Sequence, residues 1–287
     1  MIGNSLYKIF NFLGYNCVGI NHLGDWGTQF GKMIAGYLKW GSREEVEKKG
    51  IDELVRLYVM ADKDESMQEE GKAWFKKIED NDETAIELFN WFKKLTMADA
   101  EKTYALLNVK FDSYAGESFY NDKIQPVVDE LEAKGLLEDS DGAKIVRLDD
   151  YDMPPCLILK NDGASLYATR DIAAALYRKK TYNFDKMLYV VAYHQSLHFK
   201  QFFKVLELMG YEWAASSMVH VEFGMVSYEG KALSTRKGYT VYLDDVLDRA
   251  IEKAGAIMDE KSPNLPGRDE VAKSVGVGAV VFYILFN

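Results

Sequence analysis

Apolar positions along the chain repeat with two different rhythms, and the change between them organises the sequence. Leu6, Ile9, Phe10 and Leu13 recur at helical spacing, which predicts a helix over 5–13 that stops at Gly14. A short apolar run, Cys17 to Leu23, has strand character; Gly24-Asp25-Trp26-Gly27 follows as a turn, and Thr28 to Lys39 as an amphipathic helix. From Gly41 to about Leu106 the text is charged and helical, opening at Ser42 with Glu45 three residues on, the pattern of a capping box. Val109 to Asp112 and Lys144 to Leu148 are candidate strands, with a helix from Ile124 to Leu136 between them.

After Pro154-Pro155 strands and helices alternate. Cys156–Lys160, Lys186–Ala192 and Met218–Phe223 read as strands. Thr169–Lys179, Leu197–Gly210, Leu243–Met258 and a stretch from about Asp269 onward read as helices, and Asn161-Asp162-Gly163 is a turn signal. This alternation predicts an α/β fold with a doubly wound parallel sheet. Residues 41–150 then form a mostly helical insertion, between a first part at 1–40 and a second at 151–287.

Composition changes this picture little. The 287 residues are 48% hydrophobic and 28% charged, an ordinary globular balance. No apolar run approaches the roughly 20 residues that a bilayer requires, and the first twelve residues lack the form of a signal peptide. Two widely separated cysteines, Cys17 and Cys156, suggest free thiols in a reducing compartment, hence a cytoplasmic protein, and not a disulfide framework or zinc site. The net charge of −10 speaks against a general nucleic-acid binder, whose affinity comes from neutralised phosphates, but not against a local basic patch.

Three short segments carry candidate chemistry. In Tyr167-Ala-Thr-Arg-Asp171 the tyrosine and aspartate stand four apart and share a helix face. A carboxylate favoured by the helix dipole explains Asp171 plainly; a carboxylate awaiting a guanidinium explains it functionally. Gln195-Ser-Leu-His198 follows an apolar strand, where ligands of a doubly wound sheet bind. His194 and His198, four apart, have no third ligand at metal spacing, so a helix-start or substrate role outweighs zinc. Gly230-Lys-Ala-Leu-Ser-Thr-Arg-Lys-Gly238 is either a solvated hairpin turn or a phosphate grip; it lacks P-loop spacing.

Asn21-His-Leu-Gly-Asp-Trp-Gly-Thr-Gln-Phe-Gly31 resembles the glycine-tryptophan signature of arginyl-tRNA synthetases. Tyr167 to Asp171 is similar to that family's arginine-recognition segment, and Gln195 falls in a segment like its Gln-x-x-His. Ala232-Leu-Ser-Thr-Arg236 lies where the family carries its form of the class I Lys-Met-Ser-Lys-Ser loop, with Thr235 in place of the second lysine. The resemblance runs in order along essentially the whole chain.

It implies a Rossmann-type catalytic domain, activation of arginine by ATP with Mg²⁺, and transfer to the terminal ribose of tRNA. By position, Tyr167, Asp171 and Gln195 would bind arginine; Ser234, Thr235, Arg236 and Lys237 would contact the ATP phosphates; and Phe223, Gly224, Met225 and Val226 would pass near adenine. Specificity for arginine over lysine would come from fork-shaped pairing at Asp171. The class I His-x-Gly-His motif is not found in these residues; the resemblance places it just upstream of Met1 and a helical anticodon-binding domain beyond Asn287. The expectation is a catalytic portion, truncated at both ends and inactive alone. A degenerate fragment that binds nucleotide or arginine without turnover, and another class I aminoacyl-tRNA ligase, are the competing readings.

Overall fold

The structure is a computed structural model that describes residues 1–161, 166–225, 227–228, 231–232 and 242–286. The chain divides into two compact units, 1–118 with 241–287, and 119–240.

The first unit opens with six helices: α1 (Ile2–Phe12), α2 (Thr28–Trp40), α3 (Arg43–Lys49), α4 (Ile51–Lys63), α5 (Met67–Glu79) and α6 (Glu83–Leu106). α1 stops where the sequence predicts, with Gly14 at φ +90°, a conformation that costs glycine little. Ser42 caps α3 by accepting from the Glu45 N–H at 3.2 Å, and Asp82 caps α6 by accepting from Ala85. The core gathers Ile34 of α2, Leu54 and Leu57 of α4, Ile78 of α5, and Phe89 and Phe92 of α6, with Trp26 and Phe30 against it. Glycines set the spacing: a Cβ on Gly31 would lie 1.9 Å from the Gly71 carbonyl oxygen of α5, and one on Gly36 2.7 Å from that of Leu57 in α4.

The strands expected at 17–23 and 109–112 do not form. Their segments run side by side but share one isolated parallel bridge, Ile20 to Ser113. The reason lies in a side chain that takes a ladder position. The Gly19 N–H donates to the Asp112 side chain, Oδ2 at 2.7 Å, and not to a backbone carbonyl. A backbone donor satisfied by a carboxylate needs no strand partner.

The second unit contains α7 (Ile124–Ala133), β1 (Glu138–Ser140), β2 (Ala143–Val146), β3 (Cys156–Leu159), α8 (Tyr167–Tyr182), β4 (Met187–Ala192), α9 (Ser196–Leu208), α10 (Trp213–Ser217), β5 (Met218–Phe223), β6 (Ser227–Tyr228) and β7 (Lys231–Ala232). β1, β2 and β3 form an antiparallel sheet in that order. Its first hairpin turns on Asp141 and Gly142, both at positive φ, the residues and conformation that a two-residue turn prefers. β4 and β5 pair in parallel, Met187 opposite Met218 through Ala192 opposite Phe223. A parallel pair needs a crossover, supplied here by α9 and α10. Val128 and Leu131 of α7, Ile158 of β3, Ile172 of α8, Tyr189 of β4 and Phe202 of α9 share one core.

The chain then returns to the first unit with α11 (Leu243–Lys261) and α12 (Arg268–Phe286). Thr103 of α6 donates to Asp244 of α11 at 2.7 Å, and Arg268 grips Asp259 with two hydrogen bonds. Among the described residues no helix is long and apolar enough to cross a membrane. Both cysteines are free.

Candidate functional site

In the first unit, the Asn21–Gly31 segment is held by residues far along the chain. The Asn21 N–H donates to the Ser113 carbonyl at 2.9 Å and the Asn21 side-chain amide to the Tyr104 hydroxyl at 3.0 Å. Asp25 is buried, 4% exposed, and accepts from the Ser118 N–H at 2.9 Å and the Ser118 hydroxyl at 2.7 Å. The Lys93 ammonium pairs with the same carboxylate. A Cβ on Gly116 would sit 2.7 Å from both Asp25 Oδ1 and the Leu23 carbonyl oxygen, so glycine there permits the close approach.

In the second unit, Tyr167 is the first residue of α8 and is 67% exposed. Asp171, four residues later, lies beyond the first turn, where a helix dipole has lost most of its hold on a carboxylate. The dipole explanation for Asp171 therefore fails. Its side chain is 18% exposed and meets His198, Nε2 to Oδ2 at 2.7 Å. His198 stands in the first turn of α9, three residues after Gln195, which ends the 3-10 turn Tyr193–Gln195 that follows β4. Asp171 thus contacts the first turn of α9, three residues after Gln195. Tyr167 shares α8 with Asp171.

Behind Asp171, two turns further along α8, Arg178 is buried and donates to the Tyr120 hydroxyl at 3.2 Å. Burial works to lower its pKa, yet the Tyr189 and Tyr120 hydroxyls and Asp171 together hold it above the ordinary arginine value. Burial pushes the Tyr189 hydroxyl well above the usual tyrosine range, opposed by Arg178. A permanent cation inside the unit, set among two tyrosines and a carboxylate, gives the Asp171 end of α8 a fixed electrostatic background. The sequence reading did not single out Arg178 or Tyr189. A basic residue seven positions after Asp171, on the same helix face, was the available signal.

His198 faces Asp171, and among the described residues no group of three or more His, Cys, Asp or Glu side chains is arranged to hold a metal ion. Phe223 closes β5, and Gly224 and Met225 follow, Met225 exposed. Val226 and the loop residues Ser234, Thr235, Arg236 and Lys237 lie outside the described residues.

The sequence model of a family described as tRNA synthetases class I (R), catalytic domain, matches residues 1–285, and the chain belongs to that family. Among curated relatives, the arginine–tRNA ligase of Alkaliphilus metalliredigens is 54% identical over 291 residues, covering 100% of this chain and 51% of that protein. The arginine–tRNA ligase of Clostridium botulinum (strain Alaska E43 / Type E3) is 56% identical over 290 residues, again covering 100% of this chain and 51% of the relative. The chain spans about half the length of the curated relatives it matches. Of solved structures, the crystal structure of arginyl-tRNA synthetase from Plasmodium falciparum superposes with a TM-score of 0.83 at 26% identity, over 100% of this chain and 48% of that one. Thermus thermophilus arginyl-tRNA synthetase shares the fold, with a TM-score of 0.81 at 22% identity over 99% of this chain and 54% of that one.

Proposed function

We propose that the protein carrying this chain is an arginine–tRNA ligase that activates arginine with ATP and passes it to tRNA. The observation that carries this reading is the family match over residues 1–285 together with relatives of that name at 54% and 56% identity. In the first step the arginine carboxylate attacks the α-phosphorus of ATP in line and pyrophosphate leaves. In the second, a hydroxyl of the terminal ribose attacks the arginyl carbonyl and AMP leaves. Positioning and charge stabilisation dominate such displacements.

Asp171 takes the substrate guanidinium, a planar fork of donors that suits a carboxylate. Tyr167 and Gln195 complete the amino-acid site. Support comes from their placement: Asp171 and the Gln195 turn are joined through His198 near the end of β4. Phe223, Gly224, Met225 and Val226 pass the adenine, and Ser234, Thr235, Arg236 and Lys237 contact the ATP phosphates, the last two supplying positive charge. Mg²⁺ arrives with the nucleotide as part of the substrate.

The β4–β5 pair belongs, in this reading, to a Rossmann-type doubly wound sheet. Residues 1–40 and 151–287 supply the two parts of that catalytic domain and 41–150 a mostly helical insertion. The compact units divide the chain elsewhere because α2 buries its apolar face on α4, α5 and α6. The work is done in the cytoplasm, where free Cys17 and Cys156 stay reduced.

Amino-acid-dependent exchange of pyrophosphate into ATP, measured on the gene product carrying this chain with tRNA present, tests the proposal. Exchange with arginine and with no other amino acid is expected. Exchange driven by another amino acid, or none with arginine, would refute it.

A further inference from the structure

Asp171 has a partner that the proposed arginine site does not use. His198 Nε2 lies 2.7 Å from Asp171 Oδ2, the length of a charge-assisted hydrogen bond. For Nε2 to donate, the ring carries its proton there, as the Nε2–H tautomer or as imidazolium. The ring is itself fixed: its centroid lies 5.4 Å from that of Phe199 and 5.3 Å from that of Phe202, and Phe199 and Phe202 are buried in the core of the second unit. The bond joins α8, which carries Tyr167 and Asp171, to the first turn of α9, which begins beside Gln195.

An aspartate carboxylate turns broadly about its terminal torsion, whereas a guanidinium fork pairs well only with a carboxylate in its own plane. We infer that His198 is a positioning residue, which fixes the plane of the Asp171 carboxylate by donating Nε2–H to Oδ2 and so presents it to the guanidinium of the amino-acid substrate. His198 takes one of about four acceptor positions of the carboxylate. A carboxylate set in advance loses no freedom when the substrate arrives, and the affinity gained is specific to the guanidinium. The inference rests on the reading of Asp171 as the guanidinium's partner. A mere strut between two helices is the competing role, and it would affect every ligand alike.

Calorimetric titration of the gene product carrying this chain with L-arginine, and separately with ATP and magnesium, distinguishes the roles. His198→Leu removes the donor and is expected to weaken arginine about 10- to 100-fold while leaving ATP affinity unchanged. His198→Gln, whose side-chain amide also donates, is expected to recover most of the loss. Addition of arginine to wild type is expected to shift the His198 Nε2 resonance in nitrogen-15 NMR.

Wild-type arginine affinity in His198→Leu, beside a loss in Asp171→Asn, overturns this inference and leaves the arginine site standing. Equal losses of arginine and ATP assign His198 to the strut, and failure of the glutamine to recover affinity assigns the effect to ring packing; both overturn the donor role. Asp171→Asn that binds arginine normally, or a wild-type gene product that binds none, overturns the arginine site and this inference with it.

Discussion

Ser118 gives both its backbone N–H and its hydroxyl to the two oxygens of Asp25, at 2.9 and 2.7 Å. With the Lys93 ammonium as a third donor, a buried carboxylate is satisfied by groups from two distant parts of the sequence. Asp25 thereby fixes the Gly24–Gly27 turn against the segment that follows α6. Asp25→Ala would leave the Ser118 N–H and hydroxyl without their acceptor and the partly exposed Lys93 without its partner, and a buried donor left unsatisfied costs about 1–3 kcal/mol. Urea unfolding followed by tryptophan fluorescence checks this, since Trp26 is the next residue. A loss below about 1 kcal/mol, the range of an exposed pair, would contradict it.

Gly31 sets the distance between α2 and α5. A methyl group there meets the Gly71 carbonyl oxygen at 1.9 Å and the Phe75 N–H nitrogen at 2.7 Å. Backbone on a packed helix has little room to yield, so Gly31→Ala is expected to cost about 3 kcal/mol, the upper part of the range for overpacking. The thermal midpoint of the variant measures it. An unchanged midpoint would show that the two helices separate easily.

Cys156 couples stability to alkaline pH. Burial pushes its thiol up to about 12 from an ordinary value of 9.0. A raised folded pKa means that the thiol's contribution is complete below the unfolded pKa and is lost as pH rises through the folded one. From pH 9 to 12 this group alone should cost about 1.4 kcal/mol per pH unit. Urea midpoints of wild type and Cys156→Ala, compared at pH 8 and 10.5, should fall less steeply in the variant. Parallel declines would remove Cys156 from the account.

Periodicity made most of the helices and the β4–β5 strands legible. β5 runs from Met218 to Phe223 as the apolar pattern indicates, and α11 begins at Leu243. α8 begins at Tyr167, two residues before the pattern suggests, because its N-cap, Leu166, has no side-chain acceptor to mark the start. The hairpin at Asp141-Gly142 carried a clear turn signal, but β1 is Glu138-Asp139-Ser140, which has no apolar alternation to reveal a strand. Residues 17–23 look like a strand and are not one, because the Asp112 carboxylate takes the Gly19 N–H that a ladder would otherwise claim. Asp171 and Gln195 could be singled out as chemistry from the sequence. Their connection through His198 could not, since it depends on how α8 packs on α9.

Arg236 and Lys237 are assigned to the ATP phosphates from the resemblance of their loop. Replacing both by alanine in the gene product should slow arginine-dependent pyrophosphate exchange by about 10²- to 10³-fold, the scale of losing one preorganised donor to developing charge. Stopped-flow or exchange kinetics at saturating ATP measures it, and an unchanged rate would return the loop to a solvated turn.

Asp171 is the residue proposed to receive the guanidinium of an arginine substrate. Steady-state pyrophosphate exchange by the Asp171→Asn gene product tests that role most directly. Removing one member of a desolvated charge pair costs about 2–5 kcal/mol, so kcat/KM for arginine should fall about 30-fold or more while KM for ATP stays at its wild-type value. Equal losses for arginine and ATP, or an undiminished kcat/KM for arginine, would rule out that role for Asp171.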